Sequence, residues 1–371
     1  MGRVGVEMVD NSNREAVRFA IVGGGWRTEA FLRVAQELPE RFIVAGMQVR
    51  RADRGRELER DFGVRTFRRL DELLRSAEFE FVLVSVPWET CPSLITELAG
   101  RNIAVLSETP PAPDVERLES LLELARNGAK IQVAEQYWCQ PLHAARLEVV
   151  RAGLLGQVSQ AQVSACHGYH GVSLIRRLLG VGFEECTISA RRFTSPIIEP
   201  MNRAGEFAGK GSRIDSTQTI AHLEFAGNKL GVYDFAGEQY FSWIRAPRIL
   251  VRGELGEIQN EVVRYQTSTD RHTTFALERI NAGELGNLEG YHLTGYVAAD
   301  RWYYRNPFAP GRLTDDEIAV AQMVEGMGTY VRGGEEIYPL AEAAQDRYLD
   351  TLIAEAADTG ESITSTRRFE I

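Results

Sequence analysis

Lysine is nearly missing from this chain of 371 residues, in which Lys130, Lys210 and Lys229 stand beside 39 arginines. Because an arginine guanidinium keeps its proton at any ordinary pH, an amine that acts as acid or base would have to come from these three lysines. Positive charge is also in deficit, with a formal net charge of −10 at pH 7. This negative net charge argues against electrostatic binding to nucleic acid or to an anionic membrane over a broad surface.

Cysteine and long apolar runs are scarce as well. The four cysteines (Cys91, Cys139, Cys166 and Cys186) lie far apart and form no Cys-x-x-Cys pair, so they indicate neither a zinc knuckle nor a disulfide framework. The first ten residues lack the apolar stretch of a signal peptide, and apolar runs such as 81–84 are too short to span a bilayer. We therefore expect a cytoplasmic protein with no membrane or nucleic-acid partner.

Apolar strands and helical patterns alternate in the first part of the chain, after a polar tail at 1–15. The strands are predicted at 17–22, 42–49, 81–86, 103–106 and 131–136. Strands that are apolar along their whole length and separated by helices are typical of a parallel sheet with both faces covered. The sequence therefore predicts an α/β protein in which residues 16–138 form a Rossmann-like domain.

The pattern changes near residue 140, where strands follow one another with a single helix, at 171–179, among them. These strands are predicted at 157–165, 185–195, 216–225, 229–235, 248–253 and 256–265. The Gly227-Asn228 pair predicts a hairpin turn between two of them. Residues 139–371 are therefore expected to form an α+β domain with a large, mostly antiparallel, open sheet.

The stretch 199–216 has several glycines and no apolar periodicity. A loop of this length is either mobile surface or a lid over a site. Lys210 lies within it, and it is either a mobile surface lysine or a group that closes over a bound substrate.

A run of three glycines, at 23–25, falls between the first strand and the first helix. Glycines there let the backbone approach the pyrophosphate of a dinucleotide, while the helix start offers free N–H groups and partial positive charge. The third small residue of the G-x-G-x-x-G motif is replaced by Thr28, and a plain tight turn is the alternative interpretation. The predicted cofactor-binding residues of this loop are Gly23, Gly25, Trp26 and Arg27.

The second strand ends in Arg50 and Arg51, where dinucleotide folds usually have a carboxylate that bonds the adenosine ribose. No carboxylate at that place repels a 2′-phosphate, and two guanidiniums could bind one bidentately. The pair therefore favours NADP over NAD as the cofactor. The alternative is a solvated pair of arginines at a strand end.

Three further segments, at 106–110 (LSETP), 134–141 (AEQYWCQP) and 167–180 (HGYHGVSLIRRLLG), resemble the Gfo/Idh/MocA oxidoreductases in their order and spacing. The resemblance extends to a helix around 341–357. It implies an N-terminal dinucleotide fold and a C-terminal domain with an open antiparallel sheet, through which such proteins form dimers or tetramers. It also implies NAD- or NADP-dependent chemistry on a hydroxyl or carbonyl of a sugar, cyclitol or related polyol. We expect the C-terminal helix to pack back on the first domain.

The chain departs from the family motifs at the positions that carry chemistry. The family has Glu-Lys-Pro where this chain has Glu108-Thr109-Pro110, so the lysine is replaced by Thr109. Two family aspartates, four residues before and three after a histidine, align with Cys166 and Ser173. His170 alone remains of the Lys–Asp–His set.

His170 is predicted to be the acid/base, because imidazole titrates near neutral pH and alcohol oxidation moves a proton with the hydride. His167 and Tyr169 offer a replacement relay, and the Thr109 hydroxyl could hydrogen-bond a substrate oxygen. The alternative is a pair of histidines at a helix start that bond to backbone. A metal site is not expected from the His-x-x-His spacing, since no carboxylate at ligand spacing joins it.

The resemblance adds further positions to the cofactor site. These are Pro87, Trp88, Glu108 and Gln136. Tyr137 and Trp138 either line a sugar pocket or belong to the core between the domains.

The sequence thus predicts an NAD(P)-dependent oxidoreductase of a carbohydrate-like substrate, assembled as a homo-oligomer. The lost lysine and aspartate keep two alternatives open. One is a non-catalytic regulator that binds a dinucleotide, and the other is a redox-neutral enzyme of the NAD-dependent glycosidase type.

Overall fold

The computed structural model describes residues 15–207 and 211–370. Lys210 and residues 1–14 of the predicted polar tail lie outside this description.

The first part of the chain alternates strands and helices as the sequence predicted. Its elements are β1 (Val17–Val22), α1 (Thr28–Glu37), β2 (Phe42–Gln48), α2 (Ala52–Phe62), β3 (Thr66–Phe67), α3 (Leu70–Ser76), β4 (Phe81–Val84), α4 (Cys91–Gly100), β5 (Val105–Ser107), α5 (Val115–Arg126) and β6 (Ile131–Val133). The strands form one parallel sheet in the order β3-β2-β1-β4-β5-β6. Strands β4, β5 and β6 are buried along their whole length, because helices cover both faces of the sheet.

The strand order reverses between β1 and β4, which are direct neighbours in the sheet. In open parallel sheets a crevice forms at the carboxyl ends of the strands at such a switch point. The loops after β1 and β4 therefore face each other across a groove. The backbone carbonyl of Ser85, just after β4, lies close to Gly23, just after β1.

The second part of the chain begins with a 3-10 turn at Tyr137–Cys139 and builds two further sheets. Its elements are α6 (Pro141–Arg151), β7 (Val158–Ser164), α7 (Gly168–Leu179), β8 (Cys186–Ile198), β9 (Arg213–Phe225), β10 (Lys229–Ala236), β11 (Arg248–Gly253), β12 (Gly256–Gln259), β13 (Val262–Ser268), β14 (Arg271–Ala276), β15 (Glu278–Ala282), β16 (His292–Ala298), β17 (Arg301–Arg305), α8 (Asp315–Val331), α9 (Leu340–Thr359) and β18 (Ile363–Thr364).

The larger of these sheets has nine strands in the order β14-β13-β12-β11-β7-β10-β9-β8-β18. Its pairings are antiparallel except for β7 with β10. A parallel Rossmann-like sheet followed by a large, mostly antiparallel sheet confirms the predicted fold class. Strands β15, β16 and β17 form a separate antiparallel sheet.

Three predicted boundaries were wrong for physical reasons. Residues 256–265 form the hairpin β12–β13 rather than one strand, and Asn260 turns the chain with a positive φ of 54°. The stretch predicted at 199–216 ends earlier, because β9 begins at Arg213, which pairs with Ile198 at the end of β8. Helix α7 begins at Gly168 rather than at 171, so that His170 lies in its first turn.

Helices α7 and α9 cover one face of the nine-stranded sheet, and the other face is open. Helix α9 also packs against α5 and β6 of the first sheet, while α8 packs against α1, β1 and β4. The last two helices thus lie on the Rossmann-like sheet as well as on the second domain. Among the described residues, no helix has both the length and the apolar character needed to cross a membrane.

Candidate active site

One cavity of about 890 Å³ lies where the loops at the carboxyl ends of the parallel strands meet α7 and the turn at Gly237–Phe241. It contains every residue that the sequence assigned to catalysis or to cofactor binding. These are Gly23, Gly25, Trp26, Arg27, Arg50, Arg51, Pro87, Trp88, Glu108, Thr109, Gln136, His167, Tyr169 and His170. These residues span 147 positions of sequence, from 23 to 170. They come from the part of the chain that forms the parallel sheet and from the part that follows it.

The glycine loop after β1 is closely packed at one end and open at the other. Gly23 has a φ of 135°, and a Cβ there would lie 1.9 Å from the carbonyl oxygen of Ser85. A Cβ on Gly25 would meet nothing within 4 Å among the described residues. Thr28, at the third small position, is buried and bonds the Ser85 hydroxyl at 3.3 Å. The loop therefore fits a dinucleotide, because backbone lines open space at the start of α1.

Arg27, predicted to bind the cofactor, forms ion pairs with two carboxylates. Its Nε donates to Glu108 at 3.0 Å and its Nη1 to Asp316 of α8 at 2.5 Å. Asp316 also accepts hydrogen bonds from the amides of Gln136 and Gln140. The Nη2 of Arg27 and the Oε1 of Gln136 are buried without a hydrogen-bond partner among the described residues. Arg27, Glu108 and Gln136 thus form one polar cluster with Asp316, which joins the loops of the parallel sheet to α8.

The two arginines after β2 differ in their surroundings. Arg51 forms an ion pair with Asp53, at the start of α2, and its side chain is 77% exposed. Arg50 also faces solvent and has no hydrogen bond or ion pair among the described residues. Arg50 is therefore the better placed of the two to bind an added phosphate, since Asp53 already neutralises Arg51.

His170 forms a buried pair with Glu135, which follows β6. The distance between Nδ1 of His170 and Oε2 of Glu135 is 2.5 Å, and their side chains are 6% and 2% exposed. Burial raises the pKa of Glu135 to about 8 and lowers the pKa of His170. Burial therefore favours the uncharged form of both groups at neutral pH. Nε2 of His170 has no hydrogen bond from the described residues.

His167 is the residue that precedes α7, and its ring bonds to a tyrosine rather than to backbone. Nδ1 lies 2.7 Å from the hydroxyl of Tyr240, which also accepts the backbone N–H of His167. The Tyr137 hydroxyl donates to the same oxygen at 3.1 Å. With two donors already supplied, the Tyr240 hydroxyl donates its own proton to Nδ1. Burial lowers the pKa of His167 to about 3, so that this ring is neutral.

The positions of the missing family residues are occupied by uncharged side chains. Thr109 hydrogen-bonds Tyr169, whose ring packs against His170 with centroids 4.4 Å apart. Cys166 is fully buried, and burial raises the pKa of its thiol. Ser173 is also buried and bonds the hydroxyl of Tyr338 at 2.9 Å. None of these three side chains supplies a charge in place of the lysine or the aspartates.

Aromatic rings line the rim of the cavity. The guanidinium of Arg203 lies 3.6 Å from the ring centroid of Trp26 and 5.5 Å from that of Phe241, so it reaches from the second domain over the glycine loop. Tyr137 lines the cavity. Trp138, in contrast, packs under Arg177 outside the residues that line this space.

The sequence did not single out several groups at this site, of which four are the most closely involved. They are Glu135, Arg203, Tyr240 and Asp316. Of these, only Glu135 could have been recognised from the sequence. It directly follows a buried apolar strand, where a carboxylate requires a hydrogen-bond or ion-pair partner. Groups of three or more potential metal ligands are absent from the described residues.

Comparison with known proteins agrees with this architecture. The model of the family described as "Oxidoreductase family, NAD-binding Rossmann fold" (Gfo/Idh/MocA) matches residues 17–136. An uncharacterized oxidoreductase, ORF334, of Rhizobium meliloti is 30% identical over 155 residues. That match covers 40% of this chain and 45% of the relative, so it spans less than half of either protein.

Solved structures with similar folds cover nearly the whole chain. A putative myo-inositol dehydrogenase from Sinorhizobium meliloti has a TM-score of 0.66 and 17% identity, over 95% of this chain and 100% of that one. A levoglucosan dehydrogenase in complex with NADH and L-sorbose has a TM-score of 0.68 and 14% identity, over 95% and 99% of the two chains. At these identities the likeness shows the fold. Residues 17–136 therefore match the NAD-binding Rossmann fold of the Gfo/Idh/MocA oxidoreductase family, in agreement with the motifs.

Proposed function

We propose that this protein is an NAD(P)-dependent oxidoreductase of a sugar, cyclitol or related polyol, with His170 as the acid/base. One observation carries the proposal. The imidazole of His170, bonded to a buried carboxylate, faces the same cavity as the glycine loop. A proton-transferring group and a dinucleotide-binding loop that share one cavity are the two requirements for oxidation of an alcohol.

Each part of the chain has a distinct task in this proposal. A bound nicotinamide supplies the chemistry of hydride transfer. The backbone at Gly25 and the start of α1 hold the pyrophosphate, and Pro87 and Trp88 line the path toward the nicotinamide end. His170 exchanges the proton of the substrate hydroxyl through Nε2. The Thr109–Tyr169 and His167–Tyr240 pairs fix the wall around it.

The proposed class of substrate follows from the groups around His170. Tyr137, Tyr240 and Phe241 offer aromatic faces, on which the C–H groups of a sugar or cyclitol ring can pack. Gln140 and Thr109 offer hydrogen bonds to hydroxyls. The similar structures named above are described as a putative myo-inositol dehydrogenase and a levoglucosan dehydrogenase, which supports this class.

A cofactor titration tests the proposal directly. Freshly purified protein should melt at a higher temperature with NAD(H) or NADP(H), because a ligand of the folded state stabilises it by mass action. Turnover should then be found within a panel of aldoses, inositols and anhydrosugars. No stabilisation, no retained cofactor and no turnover would together contradict the proposal and favour the regulator.

For the cofactor we favour NADP, and we expect Arg50 to carry this preference. Arg50→Glu should weaken NADPH binding about 10- to 150-fold, since one charge-assisted hydrogen bond contributes about 1.5–3 kcal/mol, while NADH binding changes little. The measurement is the melting-temperature shift with each cofactor. Arg56→Glu, on the exposed side of α2, is the matched control for the change in charge. Equal losses for NADH and NADPH, or a wild-type preference for NADH, would contradict this assignment.

A redox-neutral reaction is the second candidate, and Arg203 is the observation that favours it. Its stack on Trp26 lies over the glycine loop and would slow the exchange of a bound cofactor. Denaturation of purified protein, followed by the absorbance spectrum of the released material, distinguishes the two. Stoichiometric cofactor that survives dialysis favours the redox-neutral reaction, and freely exchanging cofactor favours the dehydrogenase.

We also propose that the open face of the nine-stranded sheet joins copies of this chain. Phe193, Ile220, Leu230 and Val232 lie on this face, opposite to α7 and α9. Ile220→Glu should reduce the mass measured by light scattering after size exclusion, because it places a charge in the contact. Leu288→Glu, on an exposed loop, is the control. An unchanged mass for Ile220→Glu, or a monomeric wild type, would contradict the proposal.

A further inference from the structure

The carboxylate that the family motif places four residues before His170 is missing, since Cys166 stands there. A different carboxylate reaches the same imidazole from another strand. Glu135 follows β6, in the first domain, whereas Cys166 follows β7, in the second. The two side chains are near enough to interact electrostatically, and both are buried.

We propose that Glu135 is the positioning residue and proton partner of His170, so that the acid/base of this site is a Glu135–His170 dyad divided between the two domains. The 2.5 Å contact at Nδ1 fixes the orientation of the ring. It also leaves Nε2 as the ring nitrogen that can exchange a proton with a substrate in the cavity. This proposal rests on the proposed function for its catalytic meaning, but the dyad itself can be tested without substrate.

The dyad would move one proton in two steps. In the oxidation of an alcohol, the hydroxyl proton passes to Nε2 of His170, and the Nδ1 proton passes to the Glu135 carboxylate. The carbon–hydrogen bond of the alcohol would break, and a bound oxidised nicotinamide cofactor would supply the acceptor for its hydride. The dyad ends as a neutral imidazole beside a neutral carboxyl group, so no imidazolium has to persist in a buried site. Reduction of a carbonyl runs the same transfers backwards.

Charged and titratable groups from every neighbouring element act on this pair. They are Arg27, Glu108, Tyr137, Cys139, Cys166, His167, Tyr169, Arg177, Tyr240, Asp316, Tyr338, Asp346 and Asp350. Arg177 and Arg27 favour the ionised form of Glu135, but burial outweighs them and raises its pKa to about 8. Two groups coupled this closely titrate as a pair.

The dyad predicts an exchange of tautomers with pH. Below about pH 8 the carboxyl group of Glu135 donates to Nδ1 and His170 carries its proton on Nε2. Above this pH the carboxylate accepts a proton from Nδ1, and Nε2 becomes a free base. An isolated histidine instead gains a second proton below about pH 6.5.

The test is NMR of the full-length protein labelled with ¹⁵N-histidine, with His170 assigned from its absence in His170→Asn. In the wild type, Nδ1 of His170 should change from acceptor-like to N–H-like as the pH rises through about 8. Glu135→Gln should abolish this change, because an amide keeps the shape and a hydrogen bond but cannot transfer a proton. Glu135→Asp should retain a transition, at a shifted pH.

Asp350→Asn is the matched control, because Asp350 acts on His170 from α9 without bonding to it. It should leave the tautomer exchange in place. An ordinary imidazolium titration of His170 that is the same in wild type and Glu135→Gln would overturn the dyad. Cofactor titration of Glu135→Gln keeps the two proposals separate, since loss of the dyad with retained cofactor binding contradicts only this one.

Discussion

Replacing His170 with asparagine should reduce kcat/KM about 10²- to 10⁴-fold for a polyol that the wild type turns over, because that is the range general acid–base catalysis contributes. Asparagine is close in size and can still bond to Glu135, so the wall of the cavity should persist. The stabilisation by cofactor should therefore be nearly unchanged. Steady-state kinetics and cofactor thermal shifts on the same preparation measure both quantities.

His272→Asn, on the exposed strand β14, is the control for the substitution itself and should behave as the wild type. If His170→Asn loses less than about fivefold, His170 is not the acid/base. His167 and Tyr240 would then be the next candidates, because they form the other proton-carrying pair in the cavity.

The direction of the pH dependence follows from the state of the dyad. Burial holds the pKa of Glu135 at about 8, so a proton is present on the pair at neutral pH and is lost as the pH rises. The protonated dyad is the acid needed to reduce a carbonyl, and the deprotonated dyad is the base needed to oxidise an alcohol. Oxidation should therefore become faster as the pH rises through about 8, while reduction becomes slower. The same dependence of rate on pH for oxidation and for reduction would contradict this assignment of roles.

The sequence predicted the fold and the placement of the site because both depend on local patterns. Continuous apolar strands that alternate with helices leave few arrangements besides a doubly wound sheet. In such a sheet the loops after successive strands meet at one edge. Gly23, Pro87 and Glu108 follow β1, β4 and β5, so their meeting in one cavity follows from the strand order.

The partners of those residues could not be predicted in the same way. Asp316 contacts Arg27 across 289 positions of sequence. Asp315 and Glu317 are also acidic residues in the first turn of the same helix, so the sequence does not show which of the three meets Arg27. Tyr240 reaches His167 from a turn that has no periodic pattern. Contacts of this kind depend on how the second domain packs on the first. The sequence pattern of a single strand or helix does not predict that packing.

Arg50 and Arg51 differ for a similar reason. The sequence presented Arg50 and Arg51 as equivalent ends of a strand. The structure places Asp53 in the first turn of α2, where it meets Arg51 and where a carboxylate is favoured by the helix dipole. Helix α2 begins one residue after Arg51 and brings Asp53 next to it. The start of this helix therefore decides which of the two arginines has no carboxylate partner among the described residues.

The glycine loop allows cofactor binding and folding to be separated by two single substitutions. Gly25→Ala should fold normally, because a Cβ there meets nothing within 4 Å among the described residues. The methyl group would enter the space that a pyrophosphate needs. Crowding of about 1–3 kcal/mol corresponds to about 5- to 150-fold weaker cofactor binding. Isothermal titration with NADH and NADPH measures this loss, and an unchanged melting temperature of the free protein shows that the fold persists.

Gly23→Ala is the comparison variant, because it should lower the stability of the protein even in the absence of cofactor. Its Cβ would lie 1.9 Å from the Ser85 carbonyl at a φ of 135°, which L side chains rarely adopt. Backbone strain of about 1–3 kcal/mol and a similar cost of overpacking should lower the melting temperature by about 5 °C or more without cofactor. Separation of β1 from β4 would also disturb the crevice. If Gly25→Ala instead binds both cofactors as the wild type does, the open space beside it is not the pyrophosphate site.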